Sequence, residues 1–225
     1  MVLYEQIKDG IFLSRPNRFV AHVLAGGQEE ICHVKNTGRC RELLVPGARV
    51  TLSVSKNPAR KTKCDLVAVW KGDTYINMDS QAPNRAAGEA LKRILPGVHT
   101  VKGEVTHGDS RLDFCLETDK GRVFVEVKGV TLEKDGLALF PDAPTQRGVK
   151  HLHSLARCVE EGYGACVLFV IQMKGVHSFA PHEAMHPEFA KALREAAAKG
   201  VQVLAYDCAV TQKGMALDKP VPVKL

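Results

Sequence analysis

The sequence predicts an α/β chain (α+β) in two parts, a small β-barrel followed by a mixed sheet flanked by helices. Two observations predict this arrangement. Before residue 80, apolar and polar residues alternate as in half-buried strands, whereas after Pro83 strand-like segments alternate with apolar stripes at helical spacing. A chain of 225 residues is also long enough for two modest cores. We therefore predict one domain at residues 1–80 and a second at residues 81–225.

Five short strands are predicted in the first domain, and this number favours an OB-like β-barrel. Glycine turns separate two neighbouring pairs of strands, at Gly26 and Gly27 and again at Gly72, as is typical of β-hairpins. The predicted strands cover residues 11–25, 29–34, 50–54, 65–71 and 74–77.

The second domain is predicted to follow the order α-β-β-β-α-β-α-β, which is typical of a mixed sheet with helices on its faces. Its first helix ends at Pro96 and Gly97, and Pro187 begins its last helix. The predicted helices cover residues 84–95, 145–161 and 187–199, and the predicted strands cover residues 100–106, 111–117, 122–130, 165–173 and 201–206.

The compartment that we expect is the cytoplasm. The longest apolar run, residues 165–173, is too short to cross a bilayer, and the first residues lack the pattern of a signal peptide. Seven scattered cysteines, an odd number without a CxxC pair, suit a reducing compartment.

The positive charge is concentrated in the first domain, where 12 lysines and arginines face 8 aspartates and glutamates. Such an excess suits a surface that contacts phosphates, although a solvated basic surface explains it equally well. In the second domain, Gln146, Arg147, Lys150 and His151 give a helix a polar and basic start that suits phosphate. The residues that we expect to contact a nucleic-acid backbone are Arg15, Arg18, Arg39, Arg41, Lys61, Lys63, Arg147 and Lys150.

Base recognition is less clearly indicated by the sequence. Four aromatic residues of the first domain are candidates for stacking on bases, but each is more typical of a core. Because no helix-turn-helix pattern is present, we expect nonspecific binding to DNA. The four aromatic residues are Phe12, Phe19, Trp70 and Tyr75.

A group of charged residues lies in two predicted strands of the second domain. Asp113 is in one strand and Glu126 and Lys128 are in the next, all flanked by apolar residues. Alternation puts Glu126 and Lys128 on one face and Val127 on the other. Charges inside an apolar strand need a partner, a metal or water, because a buried unpaired charge is costly.

A divalent cation, Mg²⁺ or Mn²⁺, would account for these residues. Asp113, Glu126 and a main-chain carbonyl near Val127 would bind it, and Lys128 would orient a water or neutralise developing charge, as phosphodiester hydrolysis requires. Glu89, on the first helix, would complete the site or hold a water beside it. The alternative is that Glu126 and Lys128 form an ordinary ion pair and Glu89 lies on the helix surface.

The segment from His182 to His186 spells HExxH, the signature of zinc proteases. That motif needs both histidines inside one continuous helix. Pro181 and Pro187 bracket the segment, and Pro187 is expected in the first turn of a helix, so we do not expect protease chemistry.

Four segments closely resemble the sugar fermentation stimulation protein A family. The resemblance runs over nearly the whole chain, and the first and last of these segments are long enough to be highly specific. The segments are HVKNTGRCRELLVPGA (residues 33–48), RLDF (residues 111–114), VEVKGVTL (residues 125–132) and FPDAPTQRGVKHL (residues 140–152).

The resemblance implies an N-terminal OB-like domain, a C-terminal domain like the PD-(D/E)xK nucleases, nonspecific DNA binding and a link to the regulation of maltose metabolism in bacteria. The nuclease pattern falls on Asp113, Glu126 and Lys128, with Glu89 as the helix acid. Three hypotheses stay open: a Mg²⁺- or Mn²⁺-dependent nuclease, a DNA-binding regulator without turnover, and a structural acidic cluster in a protein that binds RNA or another protein.

Overall fold

The computed structural model describes residues 1–36 and 38–225. Six strands form the first sheet, in the order β3-β2-β1-β4-β5-β6. They are β1 (Ile7–Asn17), β2 (Val20–Ala25), β3 (Gln28–Val34), β4 (Arg49–Val54), β5 (Cys64–Lys71) and β6 (Thr74–Asn77).

The first sheet closes into a barrel of five strands. β3 pairs with β5 in parallel, from Cys32 opposite Cys64 to Val34 opposite Leu66, so β1 to β5 form a complete ring. β6 pairs only with β5, as the second strand of a hairpin. The OB-like barrel predicted from the sequence is therefore confirmed.

The prediction of one strand over residues 11–25 is wrong, because this segment contains the end of β1 and all of β2. Asn17 pairs with Val20, and Arg18 and Phe19 form the turn between them. The side-chain oxygen of Asn17 accepts the N–H of Phe19 at 2.9 Å and stabilises the turn. Since the turn is so short, it hardly interrupts the alternation of apolar and polar residues.

The second domain contains three helices and nine strands within the described residues. The helices are α1 (Ala82–Ile94), α2 (Gln146–Glu160) and α3 (Pro187–Ala198). The strands are β7 (Val98–His107), β8 (Ser110–Thr118), β9 (Gly121–Val130), β10 (Leu132–Lys134), β11 (Leu137–Phe140), β12 (Gly164–Ile171), β13 (Ser178–Pro181), β14 (Gln202–Thr211) and β15 (Gly214–Pro220).

The large sheet of this domain has the order β15-β14-β12-β9-β8-β7. β9, β12 and β14 are parallel, and the remaining pairs are antiparallel. Helix α1 packs on one face, where Leu91 and Val127 belong to one buried cluster. Helices α2 and α3 pack on the other face, where Leu155, Phe169 and Phe189 belong to a second cluster. The predicted mixed sheet flanked by helices is confirmed.

Four strands of the second domain were not predicted. β10, β11 and β13 form a small separate sheet of strands three or four residues long, too short to show a period. β15 pairs with β14 at the edge of the large sheet. Within residues 1–36 and 38–225, no helix combines the length and the apolar character needed to span a membrane.

Buried polar groups join the barrel to the large sheet. The amide of Gln172, just after β12, donates to the main-chain and side-chain oxygens of Asn77 at 3.0 Å and to the carbonyl of Asp79 at 3.2 Å. A Cβ on Gly129 would lie 2.6 Å from Oε1 of Gln172, so glycine makes room for this side chain. The boundary predicted at residues 80 and 81 falls in the link between β6 and α1.

We expect Gln172→Leu to lower the free energy of unfolding by about 1–3 kcal/mol, because it leaves buried carbonyls without donors. Urea unfolding followed by circular dichroism measures the loss. Gln202→Leu, at an exposed position of β14, is the matched control and should change the free energy little. Equal stabilities of the two variants would contradict the role given to the junction.

Candidate functional site

The site lies where two neighbouring strands of the large sheet stop pairing. β8 and β9 pair up to Phe114 opposite Val125. Asp113 and Glu126 are the next residues on the two strands, so they stand just beyond the last pair. β9 continues to pair with β12 as far as Val130, which leaves one edge of β9 without a strand partner at this level.

The strand on the other side of β8 is also irregular at this level. In the register of β7 with β8, Glu104 is the residue opposite Asp113. Glu104 has a left-handed backbone with φ of 55°, which is uncommon for a residue other than glycine. The ladder is therefore distorted on both sides of Asp113.

The carboxylate of Asp113 takes the place of the missing strand partner. Its Oδ2 accepts the main-chain N–H of Val127 at 2.7 Å, and its Oδ1 accepts Nδ2 of Asn84 at 2.7 Å. Burial and the negative charge of Glu126 raise the pKa of Asp113 above its usual value in spite of these two donors. A positive charge nearby would therefore stabilise the ionised form of Asp113.

Glu126 is buried, with 3% of its surface exposed. Its Oε1 accepts Nζ of Lys128 at 2.6 Å and also contacts Nδ1 of His151. Burial raises the pKa of Glu126, but the hydrogen bond from His151 and the charge of Lys128 outweigh it, so the pKa lies below its usual value. Its Oε2 is buried and has no hydrogen-bond partner among the described residues.

The alternation of β9 places its charged and apolar residues as the sequence predicts. Val125 and Val127 belong to the cluster that packs against α1. Glu126 faces α2 instead, and Lys128 binds it from the same strand. The side chain of Lys128 is itself only 14% exposed, so this ion pair is shielded from water on both sides.

His151 is a part of the site that the sequence did not indicate. We expected it among the polar residues at the start of a helix, but it is buried and points at Glu126. Its Nε2 accepts Nε of Arg147 at 3.4 Å. The signal in the sequence is its spacing from Gly148, Leu152 and Leu155, which are among the buried residues of α2.

Helix α1 contributes Asn84, whose side chain donates to Asp113. Gly88, one turn after Asn84, sits against the ring of Phe114, where an added Cβ would lie 3.4 Å from ring atoms. Glu89 is exposed on α1. The part that the sequence assigned to Glu89 stays a prediction.

The donors at this site suit a hard divalent cation. Mg²⁺ is usually bound through one or two carboxylates, with waters and substrate completing its coordination. The unpartnered Oε2 of Glu126 is a ligand atom that the protein itself leaves unused. Across residues 1–36 and 38–225, no three His, Cys, Asp or Glu side chains gather into a metal-binding group. The donors that this site could offer a cation are the carboxylates of Asp113 and Glu126 and a main-chain carbonyl such as that of Val127.

Arg15 organises the loop after β3. Its NH1 donates to the carbonyls of Gly38 at 3.0 Å and Arg39 at 2.9 Å, and its NH2 donates to those of Arg18 at 2.8 Å and Asn36 at 2.7 Å. These bonds engage all four terminal N–H groups of the guanidinium. In this conformation, Arg15 has no terminal donor left for a DNA phosphate, in contrast to the contact predicted for it.

The other basic residues predicted to contact DNA are exposed. Two of the lysines have partners nearby: Nζ of Lys63 donates to the carbonyl of Pro58, and Nζ of Lys150 lies 3.2 Å from a carboxylate oxygen of Asp109. The exposed residues of this set are Arg18, Arg39, Arg41, Lys61, Lys63, Arg147 and Lys150.

The HExxH segment lies outside any helix. It occupies the turn before α3, which begins at Pro187. Nδ1 of His182 contacts the carbonyl of Pro141 at 3.2 Å, and Glu183 pairs with Arg194 at 2.7 Å. The two histidines are therefore not arranged as the ligands of a zinc protease.

Two family models match the chain. The model described as the SfsA N-terminal OB domain matches residues 13–78, and the model described as the sugar fermentation stimulation protein RE domain matches residues 81–214.

Curated relatives match along almost the whole chain. The sugar fermentation stimulation protein homolog of Ruminiclostridium cellulolyticum is 51% identical over 99% of both chains. The homolog of Desulfitobacterium hafniense strain Y51 is 53% identical over 99% of this chain and 98% of its own.

A solved structure also matches the whole fold. The structure of Pyrococcus furiosus SfsA in complex with Ca²⁺ superposes with a TM-score of 0.90 and 28% identity, and the match covers 100% of this chain and 98% of that one. Together with the family models and the curated relatives, this match shows that the chain belongs to the sugar fermentation stimulation protein family.

Proposed function

We propose that this protein binds DNA and hydrolyses its phosphodiester bonds with Mg²⁺ or Mn²⁺ at a site formed by Asp113, Glu126 and Lys128. One observation carries the proposal: a buried oxygen of Glu126 lacks a hydrogen-bond partner within the described chain and lies in a carboxylate that interacts with Asp113. A buried acceptor without a partner is costly, so its retention points to a ligand.

The electrostatics of the site support a cation. Two carboxylates lie in a weakly solvated environment, and the charge of Glu126 disfavours ionisation of Asp113. Lys128 and His151 both contact Oε1 of Glu126, so the compensating groups are on one side of that carboxylate. A divalent cation would stabilise the ionised forms of both acids.

The solved relative from Pyrococcus furiosus adds independent support, since its structure was determined in complex with Ca²⁺. Ca²⁺ and Mg²⁺ are both hard cations that prefer oxygen ligands. The ion in a chain with the same fold therefore supports the divalent site that we propose in this protein.

Each residue of the site has a role in the proposed reaction. Asp113, Glu126 and the carbonyl of Val127 would hold the cation, which would lower the pKa of an attacking water and stabilise charge on the phosphate. Lys128, held by Glu126, would orient that water or neutralise charge developing on the phosphate oxygens. His151 would keep the Glu126 carboxylate in place.

The substrate that we propose is DNA, bound without sequence specificity. Exposed arginines of the first domain would contact the phosphates, and arginines contact phosphates of any sequence. We further propose a cytoplasmic protein, from the short apolar runs and the unpaired cysteines of the sequence. The resemblance to the family suggests a link to the regulation of sugar (maltose) metabolism.

One observation favours a DNA-binding regulator without turnover as the second candidate. The ion pair of Glu126 with Lys128 and the contact with His151 already compensate part of the buried charge. A site of this kind is able to persist as a structural remnant on a protein that only binds DNA.

We expect purified protein to cleave plasmid or single-stranded DNA in Mn²⁺ or Mg²⁺, and we expect Asp113→Asn and Lys128→Met each to lower the rate by about 100-fold or more, as loss of one electrostatic group does in other hydrolytic sites. Gel analysis of the products measures the rate. Asp73→Asn and Lys120→Met, at exposed turn positions, are the matched controls and should cleave at the parent rate. DNA binding without cleavage, unchanged by any of these substitutions, would support the regulator instead.

The affinity for Mn²⁺ should fall as the pH falls. The pKa of Asp113 is raised, so protons compete with the cation at a higher pH than for an ordinary aspartate. Below that pKa, one competing proton weakens binding by up to about tenfold per pH unit. Calorimetric titration with Mn²⁺ at several pH values measures this dependence of the affinity on pH. Asp113→Asn is the control, because it removes the proton competition at residue 113. An affinity that stays constant from neutral to acid pH would exclude Asp113 as a ligand.

A further inference from the structure

We propose that a pocket on the first domain binds single-stranded nucleic acid, with Arg18, Arg39 and Arg41 contacting phosphates and Phe19 stacking on a base. The proposal rests on the proposed function only in taking the ligand to be nucleic acid. It adds the strand state of that ligand and a binding site separate from the carboxylates.

The pocket lies between β1 and the loop after β3. It has a volume of 710 Å³ and is lined in part by four arginines. No aspartate or glutamate occurs among the described residues that line it. A concave lining with several positive charges favours a polyanion; the carboxylate of Asp142 lies beside it and contacts the main chain of Arg39. The arginines of the lining are Arg15, Arg18, Arg39 and Arg41.

The four arginines divide into one that holds the loop and three that are available to a ligand. Arg15 donates to main-chain carbonyls, among them those of Arg18 and Arg39. Arg18 and Arg39 are therefore bound to Arg15 through their main-chain carbonyls. Their side chains are exposed, so their guanidinium groups stay available to a ligand. Arg41 is exposed on the same loop. Guanidinium groups suit phosphate because they form paired hydrogen bonds with its oxygens.

The loop is held in place from both domains. Oδ2 of Asp142, in the second domain, accepts the N–H of Arg39 at 3.1 Å. The same carboxylate lies against Gly38, where a Cβ would collide with it. Oδ1 of Asn36 accepts the N–H of Gly38 at 2.8 Å. Because these contacts already hold residues 36, 38 and 39, binding would not have to supply the free energy for ordering them.

Phe19 supplies the observation that points to bases. It follows Arg18 in the turn between β1 and β2, and 54% of its surface is exposed. Phe12, by contrast, is 2% exposed, and the rings of Trp70 and Tyr75 pack on each other at 4.7 Å. Phe19 is therefore the aromatic residue of this set that is free to take a base.

An exposed phenylalanine beside free arginines fits a single strand better than a duplex. Stacking on a side chain requires a base whose face is accessible, and bases in a duplex are already stacked on each other. Stacking also accepts any base, so it agrees with nonspecific binding. The phosphates of the same strand would lie against the arginines of the pocket.

The start of the loop that forms the pocket contacts the segment that leads to the carboxylate site. Nδ2 of Asn36 donates to the carbonyl of Met78 at 3.0 Å, and the N–H of Ser80 donates to the carbonyl of Lys35 at 3.1 Å. Met78 and Ser80 lie just before α1, and the side chain of Asn84 in α1 donates to Asp113. The loop that forms the pocket is thus held by the segment that leads to the site.

Fluorescence anisotropy with a labelled oligothymidylate in EDTA tests the proposal without turnover. We expect Phe19→Ala to weaken binding by about 5-fold to 100-fold at every salt concentration, since stacking does not depend on salt. Arg41→Gln should weaken binding and lower the slope of log K against log salt by about 0.7, the value for one phosphate contact in a single strand. Ile31→Ala and Lys120→Gln, an exposed apolar residue of the barrel and an exposed lysine of the second domain, are the controls and should bind as the parent does.

The same assay is repeated with a duplex and with an RNA strand in place of the single-stranded DNA. The parent should bind the single strand more tightly than a duplex of equal length, and Phe19→Ala should reduce that preference. An oligouridylate in the same assay shows whether the site accepts RNA as well as DNA. Equal affinity of Phe19→Ala and the parent for the single strand, or tighter binding of the duplex, would overturn the proposal.

These outcomes are independent of the cleavage test. Loss of cleavage in Asp113→Asn together with tighter duplex binding would retain the nuclease and reject the single-strand pocket. Single-strand binding that depends on Phe19 in a protein that never cleaves would retain the pocket and reject the nuclease.

Discussion

The second domain depends on how it accommodates one buried charge, the carboxylate of Glu126 in a central strand of the large sheet. An ionised carboxylate removed from water costs several kcal/mol unless it is paired. Lys128 and His151 compensate one oxygen, and the other stays without a partner among the described residues. The divalent cation that we propose would compensate this second oxygen and so account for a charge at this position.

The same constraint explains the local form of the sheet. β8 and β9 separate at Asp113 and Glu126, and the carboxylate of Asp113 binds the main-chain N–H that the separation exposes. Both oxygens of Asp113 and one oxygen of Glu126 therefore have hydrogen-bond partners in the protein. The charge of Glu126 still acts on the carboxyl group of Asp113. The barrel joins this arrangement through buried polar contacts at Gln172 and through the contact of Asp142 with the loop after β3.

The sequence predicted the features that repeat along the chain. Alternation and helical spacing predicted the barrel, the mixed sheet with its three helices, and the faces of Glu126 and Val127, because these patterns extend over many residues. β10, β11 and β13 are too short to show a period, and the turn at Arg18 and Phe19 leaves the alternation nearly intact. The roles of Arg15, Asn84 and His151 depend on contacts between residues far apart in sequence, which no local pattern contains.

The central claim is that Asp113 and Glu126 together bind a divalent cation. The most direct measurement is anomalous diffraction at the manganese edge from crystals soaked in Mn²⁺, for the parent and for Glu126→Gln. The account predicts an anomalous peak between the carboxylates of Asp113 and Glu126 in the parent and its loss in the variant. A parent crystal without a peak at these carboxylates, or an equal peak in Glu126→Gln, would contradict it.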